Sequence, residues 1–249
     1  MDLSNRTVLV TGGTSGIGLG IAEAFLHANS HVIVTGRDKE KLLAVTEKYP
    51  QITALPCDVG DARQREDLAR EVLRRFPDLD ILVNNAGIQR YIDLKKGIDE
   101  LRSGEDEITI NFVSTVELTA LFIGQLMQRP AAAVINVSSA LGLMPMLNLP
   151  VYCATKAAIH TYTLVLRQQL KGTPIKVVEV LPPMVDTSLN KIGRDHSHSP
   201  YRGISLSEYM PGLIQGLAGD ADMLFHEDAD KLMSEPRRES EARLLNPHW

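Results

Sequence analysis

Tyr152 and Lys156, in the stretch YCATK, are the two residues of this sequence whose types and spacing most clearly suggest chemistry. A spacing of four residues puts both side chains on one face of a helix. A free tyrosine has a pKa of about 10, and a neighbouring ammonium group favours the phenolate. The pair could therefore act as a general acid or base nearer neutral pH. Most such pairs are surface contacts, so this one gains weight only from the polar groups predicted beside it.

Two further polar residues belong to the same question. Ser139 follows an apolar run and precedes Tyr152 by thirteen residues, and its hydroxyl could hydrogen-bond a substrate oxygen. Asn111 is flanked by isoleucines and a phenylalanine in a segment that we predict to be helical. Because asparagine is a poor helix former that competes for backbone hydrogen bonds, a specific role is expected for it.

A glycine-rich stretch, TGGTSGIG from Thr11 to Gly18, lies between a predicted strand and a predicted helix. It lacks the Lys-Ser/Thr pair of a nucleoside-triphosphate loop, which excludes a kinase or nucleotide hydrolase, and its glycines do not follow G-x-G-x-x-G. Gly12 would permit a tight turn, Gly16 a close backbone approach, and Gly18 close helix–strand packing. The helix N-terminus offers N–H groups to a pyrophosphate. A glycine-rich turn without a ligand is the alternative.

Polar residues also follow two other predicted strands. The asparagines of NNAG, Asn84–Gly87, could cross-link neighbouring backbone loops through side-chain hydrogen bonds. Asp58, in CDV, could accept a hydrogen bond from an adenine amino group, although a turn or helix-capping role is equally consistent with the sequence.

The elements that must position these residues alternate between short apolar runs and amphipathic stretches. The predicted strands are Thr7–Thr11, His31–Thr35, Ile52–Pro56, Asp80–Val83, Ala133–Val137 and Ile175–Leu181, with a weak seventh near Met223–Phe225. The predicted helices are Ile17–Ala28, a helix capped by Asp38 that reaches Lys48, Ala62–Phe76, Glu105–Gln128, Val151–Lys171 and Ser205–Leu217. Nearly continuous apolar strands predict a sheet covered on both faces, hence an α/β fold with a doubly wound parallel sheet of six or seven strands. Ligands bind such sheets at the carboxyl ends of the strands.

Composition narrows the functional classes. The 249 residues carry a net charge of −5, which favours neither nucleic acid nor an anionic membrane as a partner. No apolar run is long enough for a membrane span and no secretory signal is visible, so we expect a cytoplasmic protein. Two distant cysteines fit no metal spacing, and His196 and His198 do not complete a ligand set, so no metal site is expected.

We expect one domain over 1–249, with a substrate loop and helix region at 184–225 and a charged tail at 227–249.

Taken together, TGGTSGIG, NNAG, Asn111, Ser139 and the Tyr152/Lys156 pair resemble the short-chain dehydrogenase/reductase family in order and spacing, over roughly residues 5–190. The resemblance implies a Rossmann fold and an NAD(P)-dependent oxidoreductase acting on a small carbonyl or alcohol substrate. It implies that Tyr152 is the acid/base, that Lys156 lowers the pKa of Tyr152 and binds the nicotinamide ribose, that Ser139 polarises the substrate oxygen, and that Asn111 holds a water in a proton relay. Ser138 is adjacent, but the spacing favours Ser139.

The resemblance also implies which residues bind the cofactor and how copies of the chain associate. A homodimer or homotetramer is expected, formed through helices Glu105–Gln128 and Val151–Lys171. The family commonly has Pro-Gly where this chain has Pro182-Pro183, and the second proline removes a donor N–H. The expected cofactor-binding residues are Gly12, Thr14, Ser15, Gly16, Ile17, Gly18, Arg37, Asp58, Val59, Asn85, Ala86, Gly87, Tyr152, Lys156, Pro182, Val185 and Thr187.

A narrower resemblance involves the stretches NNAGIQR, DEITINF, VLPPMVDT, RGIS and NPHW. They are similar to bacterial members of the family that are named after the D-alanine-transfer operon. That name reflects gene neighbourhood and does not imply a substrate.

The end of the second strand bears on the choice of cofactor. NAD-preferring sites usually have an acidic residue there, which binds the ribose hydroxyls. This chain has Gly36 followed by Arg37, whose guanidinium could bind a 2′-phosphate, so we expect NADP(H) to be favoured over NAD(H). The alternative is that Arg37 pairs with a helix carboxylate and that NAD is accepted. For the whole protein, the alternative function is a dinucleotide-binding sensor or scaffold without turnover.

Overall fold

The computed structural model describes residues 1–191 and 203–226. Within them a seven-stranded sheet has the order β3-β2-β1-β4-β5-β6-β7, and every neighbouring pair is parallel. The predicted doubly wound α/β fold is therefore confirmed, including the seventh strand. The strands are β1 Thr7–Thr11, β2 His31–Gly36, β3 Thr53–Pro56, β4 Ile81–Asn84, β5 Ala132–Val137, β6 Ile175–Leu181 and β7 Met223–Phe225. His196, His198 and the predicted tail at 227–249 lie outside the described residues.

Helices cover both faces of this sheet. The α-helices are α1 Gly16–His27, α2 Lys39–Lys48, α3 Ala62–Arg75, α4 Ile98–Arg102, α5 Ser114–Leu126, α6 Pro150–Gln169 and α7 Leu206–Ala218. Short 3₁₀ turns occupy Leu94–Lys96, Ala140–Gly142 and Ser188–Lys191. Asp38 accepts hydrogen bonds from two N–H groups at the start of α2, as predicted for its N-cap.

The alternation of side chains along each strand divides the core in two. In β1, Val8 and Val10 belong to the cluster packed beneath α1 and α7, whereas Leu9 belongs to the cluster beneath α3 and α5. All three side chains are fully buried. Both faces of the sheet are thus covered, which explains why the strand sequences are apolar at most positions and do not alternate with polar residues.

The predicted helix Glu105–Gln128 differs from the structure in its bounds, which are Ile108–Leu126, and in the form of its first turns. It begins with a π-helical segment, Ile108–Val113, which continues directly into α5. Asn111 lies in this segment and is fully buried. Wider π turns insert an extra residue into a helix and often occur at functional sites. The turn at Leu94–Lys96 and helix α4 were not predicted, because their apolar side chains Leu94, Ile98 and Leu101 are exposed and form no core-facing stripe.

The combined helix Ile108–Leu126 is long and apolar enough, by length and composition, to cross a membrane. Its apolar character has another explanation in this fold. Leu118, Phe122 and Leu126 are buried in the core cluster that includes Leu82 and Val134 of the sheet. The helix packs along the sheet as a core helix.

The order of strands determines where a ligand can bind. From β1 the chain winds outward to β2 and β3, and it then returns to β4 on the other side of β1. This reversal creates a crevice at the carboxyl ends of β1 and β4. The glycine loop follows β1 and NNAG overlaps the end of β4, so both motifs lie at this crevice.

Candidate active site

The glycine loop has the backbone conformation that its sequence predicts. Gly12 and Gly16 have φ values of +62° and +57°, in the left-handed region that side chains other than hydrogen disfavour. A Cβ atom on Gly12 would lie 2.9 Å from the Cα of Ala86, and one on Gly16 would lie 3.3 Å from Cγ2 of Thr187. The loop is therefore pressed against NNAG on one side and faces the segment after β6 on the other.

The second asparagine of NNAG fastens the two loops together. Asn85 Nδ2 donates to the carbonyl oxygens of Thr11 and Gly12, at 2.9 and 3.2 Å. The Thr11 hydroxyl oxygen in turn accepts from the N–H groups of Asn85 and Ala86, at 2.9 and 3.0 Å. The predicted cross-link between neighbouring loops is confirmed.

The first asparagine makes a second cross-link deeper in the fold. Asn84 Nδ2 donates to Oδ1 of Asn136 on β5 at 2.9 Å and to the hydroxyl of Thr119 on α5 at 3.0 Å. These three buried side chains join two strands and a helix directly beneath the site.

The N-terminus of α1 leaves backbone donors available to an anion. Ser15 occupies the N-cap position in an extended conformation, but its side chain makes no capping hydrogen bond. Helices α2 and α3 are each capped by an aspartate side chain. The first turn of α1, which includes Gly16, Ile17 and Gly18, carries no acidic residue. Its N–H groups and positive dipole end suit a phosphate group.

The residues around the ends of β2 and β3 are arranged as follows. Thr14 contacts Gly36, since a Cβ on that glycine would lie 3.1 Å from Cγ2 of the threonine. Asp58 Oδ1 accepts from the N–H of Gly60 at 2.8 Å, which is the turn geometry considered above. Val59 is buried. Contact of Asp58 and Val59 with adenine stays a prediction.

Ser139, Tyr152 and Lys156 meet at the carboxyl end of β5, and all three are buried. Lys156 Nζ donates to the carbonyl oxygen of Val137 at 2.9 Å and lies 5.6 Å from the centroid of the Tyr152 ring. The Ser139 hydroxyl lies close enough to the Tyr152 phenol to lower the pKa of that phenol. The helical spacing and the turn at Ala140–Gly142 thus bring a hydroxyl, a phenol and an ammonium group together.

Burial governs the ionisation of this group. It raises the pKa of the Tyr152 phenol, and the nearby Ser139 hydroxyl opposes this without reversing it. The same burial lowers the pKa of Lys156 to about 8. The tyrosine shift is opposite in direction to the lowering expected from a neighbouring ammonium, because desolvation disfavours both charged forms. At neutral pH the pair consists of a protonated phenol beside an ammonium, which is the form that can donate a proton.

The adjacent serines have different partners. Ser138 Oγ donates to Oε1 of Glu179 at 2.6 Å, in the interior behind the site. Ser139 Oγ accepts from the N–H of Leu141 at 3.1 Å and lies beside Tyr152. This geometry favours Ser139 as the serine that faces a substrate.

Asn111 is brought to the site by the π-helical segment. Its side chain pairs with both backbone polar groups of Ile88, accepting from N–H at 2.8 Å and donating to the carbonyl at 2.9 Å. A third hydrogen bond, from Nδ2 to the hydroxyl of Thr155, reaches α6 at 3.1 Å. A Cβ on Gly87 would lie 3.2 Å from Asn111 Oδ1 and 3.7 Å from Lys156 Nζ, so Gly87 adjoins both side chains. The predicted water relay stays a prediction.

The last predicted cofactor residues follow β6. The carbonyl oxygen of Pro182 accepts from the N–H of Ala140 at 3.0 Å, which ties this segment to the turn after Ser139. Val185 is buried and forms an isolated parallel bridge with Ile204. Thr187 faces Gly16, as described above. The segment therefore lies against the glycine loop.

Sequence reasoning missed one carboxylate near the site. Glu107 is 1 % exposed, and its Oε1 accepts from the N–H of Arg90 at 3.0 Å. Burial raises the pKa of Glu107, and its negative charge contributes to the raised pKa of Tyr152. The signal in the sequence is a charged residue one turn before Asn111, on the same side of the helix.

Sequence reasoning also missed a second carboxylate, on β6. Glu179 is fully buried and accepts a hydrogen bond from Ser138. His160 Nδ1 contacts both of its carboxylate oxygens, at 3.1 and 3.0 Å. His160 is thus paired inward with this carboxylate. Among the described residues, no group of three or more His, Cys, Asp or Glu side chains could hold a metal ion.

This pair predicts a dependence of stability on pH. The hydrogen bond to Glu179 raises the pKa of His160 above the value of about 6.5 in an unfolded chain, although burial and the charge of Arg167 oppose it. Because the folded-state pKa is the higher one, the stabilisation is complete below about pH 6.5 and is lost as pH rises through the folded-state pKa. Urea unfolding across this range should show a decline in stability for the wild type and a flatter profile for His160→Gln. Identical profiles for the two proteins would contradict this assignment.

Comparison with known proteins agrees with this arrangement. The model of the short chain dehydrogenase family matches residues 6–197. The chain is 45 % identical to the "Uncharacterized oxidoreductase DltE" of Bacillus subtilis over 95 % of this chain and 94 % of that protein.

Solved structures of the same kind superpose over most of the chain. A short chain dehydrogenase from Burkholderia cenocepacia in complex with NADP has a TM-score of 0.83 and 26 % identity, covering 99 % of this chain and 100 % of its own. The closed form of a serine dehydrogenase complexed with NADP⁺ has a TM-score of 0.79 and 25 % identity, covering 89 % of this chain and 94 % of its own. This chain therefore belongs to the short-chain dehydrogenase family and is an oxidoreductase with a Rossmann fold.

Proposed function

We propose that the protein is an NADP(H)-dependent oxidoreductase that interconverts a carbonyl and an alcohol on a small molecule. One observation carries the proposal: Tyr152, Lys156 and Ser139 meet at the carboxyl edge of the sheet, where the glycine loop also lies. A protein that only binds a dinucleotide needs the glycine loop but has no need of a buried phenol with a hydroxyl donor and an ammonium beside it.

The residues of the crevice fit a dinucleotide. The glycine loop brings backbone close to the crevice at positions where a side chain would intrude, and the start of α1 presents N–H groups to a pyrophosphate. Asn85 and Thr11 hold this loop in place. Thr187, which faces Gly16, would lie beside the same phosphates.

The chemistry of the proposed reaction is divided between cofactor and protein. A bound nicotinamide dinucleotide supplies or accepts a hydride at C4 of its nicotinamide ring. In the reductive direction, Tyr152 donates its proton to the substrate oxygen as the carbonyl carbon receives the hydride. Ser139 donates a hydrogen bond to the same oxygen. The ammonium of Lys156 stabilises the phenolate left behind until a proton from solvent restores the phenol.

The preference for NADP(H) over NAD(H) is the finer part of the proposal. No acidic side chain occupies the end of β2, where Gly36 is followed by Arg37. A guanidinium at this point suits a 2′-phosphate. Arg37 pairs with a carboxylate, that of Glu105, which lies just before the helix and is not part of it. The NADP complexes of the two similar dehydrogenases support the preference.

The proposal extends to the setting in which the enzyme works. We infer a cytoplasmic homodimer or homotetramer that acts without nucleic acid or membrane. The two helices predicted to associate expose three large apolar side chains. These are Ile108, in the π-helical segment before α5, and Leu164 and Val165 on α6. Covering them with a second copy of the chain would remove apolar surface from water.

A substrate panel tests the proposed function. Purified protein is incubated with NADPH or NADH and a set of ketones, aldehydes and quinones, and nicotinamide absorbance is followed. We expect turnover of at least one carbonyl class and a higher kcat/KM for NADPH than for NADH. If the protein binds NADPH tightly but oxidises it with no compound of the panel, a sensor or scaffold is favoured. A higher kcat/KM for NADH than for NADPH would contradict the cofactor preference.

A further inference from the structure

The guanidinium of Arg37 pairs with the Glu105 carboxylate through two nitrogen–oxygen contacts. Nη1 contacts Oε1 of Glu105, and Nη2 donates to Oε2 at 3.0 Å. This is the bidentate geometry with which a guanidinium binds carboxylates and phosphates alike. Glu105 therefore occupies the same donors that a phosphate at Arg37 would use.

The pair lies beside the predicted dinucleotide crevice. Arg37 directly follows Gly36, the last residue of β2, and Gly36 contacts Thr14 of the glycine loop. Glu105 is 68 residues further along the chain, in the segment between α4 and the π-helical turn that carries Asn111. The ion pair thus joins the end of β2 to the segment that leads into the catalytic region.

Arg90 fixes the main chain around Glu105 through hydrogen bonds to its carbonyl oxygens. Its Nη1 donates to the carbonyl oxygens of Leu101 and Glu105, at 3.2 and 3.0 Å, and its Nη2 donates to that of Glu100 at 3.1 Å. Its side chain packs against Gly104, where a Cβ would lie 2.8 Å from Nε. The main chain of Glu105 is therefore fixed by a cation that does not touch its carboxylate.

The carboxylate itself is free to exchange. The side chains of Arg37 and Glu105 are 49 % and 47 % exposed, and exposed ion pairs contribute little stability. A phosphate group carries more negative charge than a carboxylate and can replace it on the guanidinium. After the exchange, the fixed main chain would keep the displaced carboxylate close to the phosphate, where the two negative charges repel each other.

We propose that Glu105 is a specificity-determining residue that competes with the cofactor's 2′-phosphate for Arg37. The proposal rests on the dinucleotide-binding function proposed above. Glu105 weakens binding of the 2′-phosphorylated cofactor and leaves binding of the unphosphorylated one unchanged, because only the former must displace the carboxylate. The Arg37/Glu105 pair then reduces a strong preference for NADP(H) to a moderate one.

Titration of Glu105→Gln tests the competition through binding alone. Dissociation constants are measured by calorimetry for NADPH, NADH, adenosine 2′,5′-bisphosphate and 5′-AMP. Glu100→Gln is the matched control, since it removes the same charge from a nearby position whose carboxylate pairs with Lys96 instead of Arg37. We expect Glu105→Gln to tighten NADPH and the bisphosphate by about three- to tenfold. NADH and 5′-AMP should change by less than about twofold.

Further variants separate the outcomes. Arg37→Gln should weaken NADPH, and adding Glu105→Gln to it should give no further change, because the two residues act through one contact. Equal NADPH affinities for wild type, Glu105→Gln and Glu100→Gln would overturn the competition while leaving dinucleotide binding intact. If the wild type binds neither NADPH nor NADH, the proposed function is overturned, and the competition with it.

Discussion

Replacing Tyr152 by phenylalanine is expected to reduce kcat by a factor on the order of 10²–10⁴, the contribution usual for a positioned general acid. The change removes one hydroxyl from a side chain that is 5 % exposed and keeps its apolar ring. The fold and the dinucleotide crevice should survive it. Affinity for NADPH should stay within about twofold of the wild type, because the glycine loop and α1 are untouched.

Tyr162→Phe provides the matched control for this loss. Tyr162 lies on the same helix, α6, nearly three turns beyond Tyr152, and its ring packs against the core cluster that includes Leu118 and Phe122. Its variant should retain wild-type turnover. Steady-state assays and NADPH titration of both variants separate the two effects. Equal turnover for wild type and Tyr152→Phe would eliminate Tyr152 as the proton donor.

The second large effect is expected at Gly18. A Cβ there would lie 2.5 Å from the carbonyl oxygen of Gly12 and would also overlap the side-chain amide of Asn85. Neither group can move without breaking the cross-link between the loops after β1 and β4. We expect Gly18→Ala to lower the free energy of unfolding by about 1–3 kcal/mol, the usual cost of overpacking. NADPH affinity should fall about tenfold or more, since the loop and its N–H groups are displaced together.

Gly124→Ala is the matched control for that substitution. Gly124 lies within α5, and no atom lies within 4 Å of the position that a Cβ would occupy. Alanine is favoured over glycine in a helix by about 1 kcal/mol, so this variant should be as stable as the wild type or more so. Urea unfolding and NADPH titration measure both variants. Wild-type stability and affinity in Gly18→Ala would show that the close packing is not required.

The sheet was predictable from sequence because each strand is buried on both faces. A strand such as Thr7–Thr11 is apolar or β-branched throughout, and its register follows from the parallel pairing with β2 and β4. The ends of helices were less predictable, because hydrogen bonds at their last turns decide them. The segment from Leu94 to Arg102 could not be predicted, since its apolar residues are exposed and no periodic stripe marks a helix.

Within the site, the motifs predicted which residues meet but not how they are partnered. The spacing of Tyr152 and Lys156 correctly predicted one helix face, yet the raised pKa of the phenol depends on burial, which a local motif does not encode. The pairing of Arg37 with Glu105 joins positions 68 residues apart. Contacts of this kind arise from the fold as a whole, and one sequence without its structure carries no signal for them.

The most direct test of the account is transfer of label from cofactor to product. NADPH carrying deuterium at both hydrogen positions of nicotinamide C4 is incubated with the ketones and aldehydes of the panel, and the alcohols are analysed by mass spectrometry. We expect deuterium on the former carbonyl carbon with the wild-type protein, and less labelled alcohol per unit time with Tyr152→Phe, in proportion to its lower kcat. Bound NADPH with no deuterium in any alcohol, for a panel of ketones and aldehydes that the protein reduces with unlabelled NADPH, would contradict hydride transfer from the cofactor.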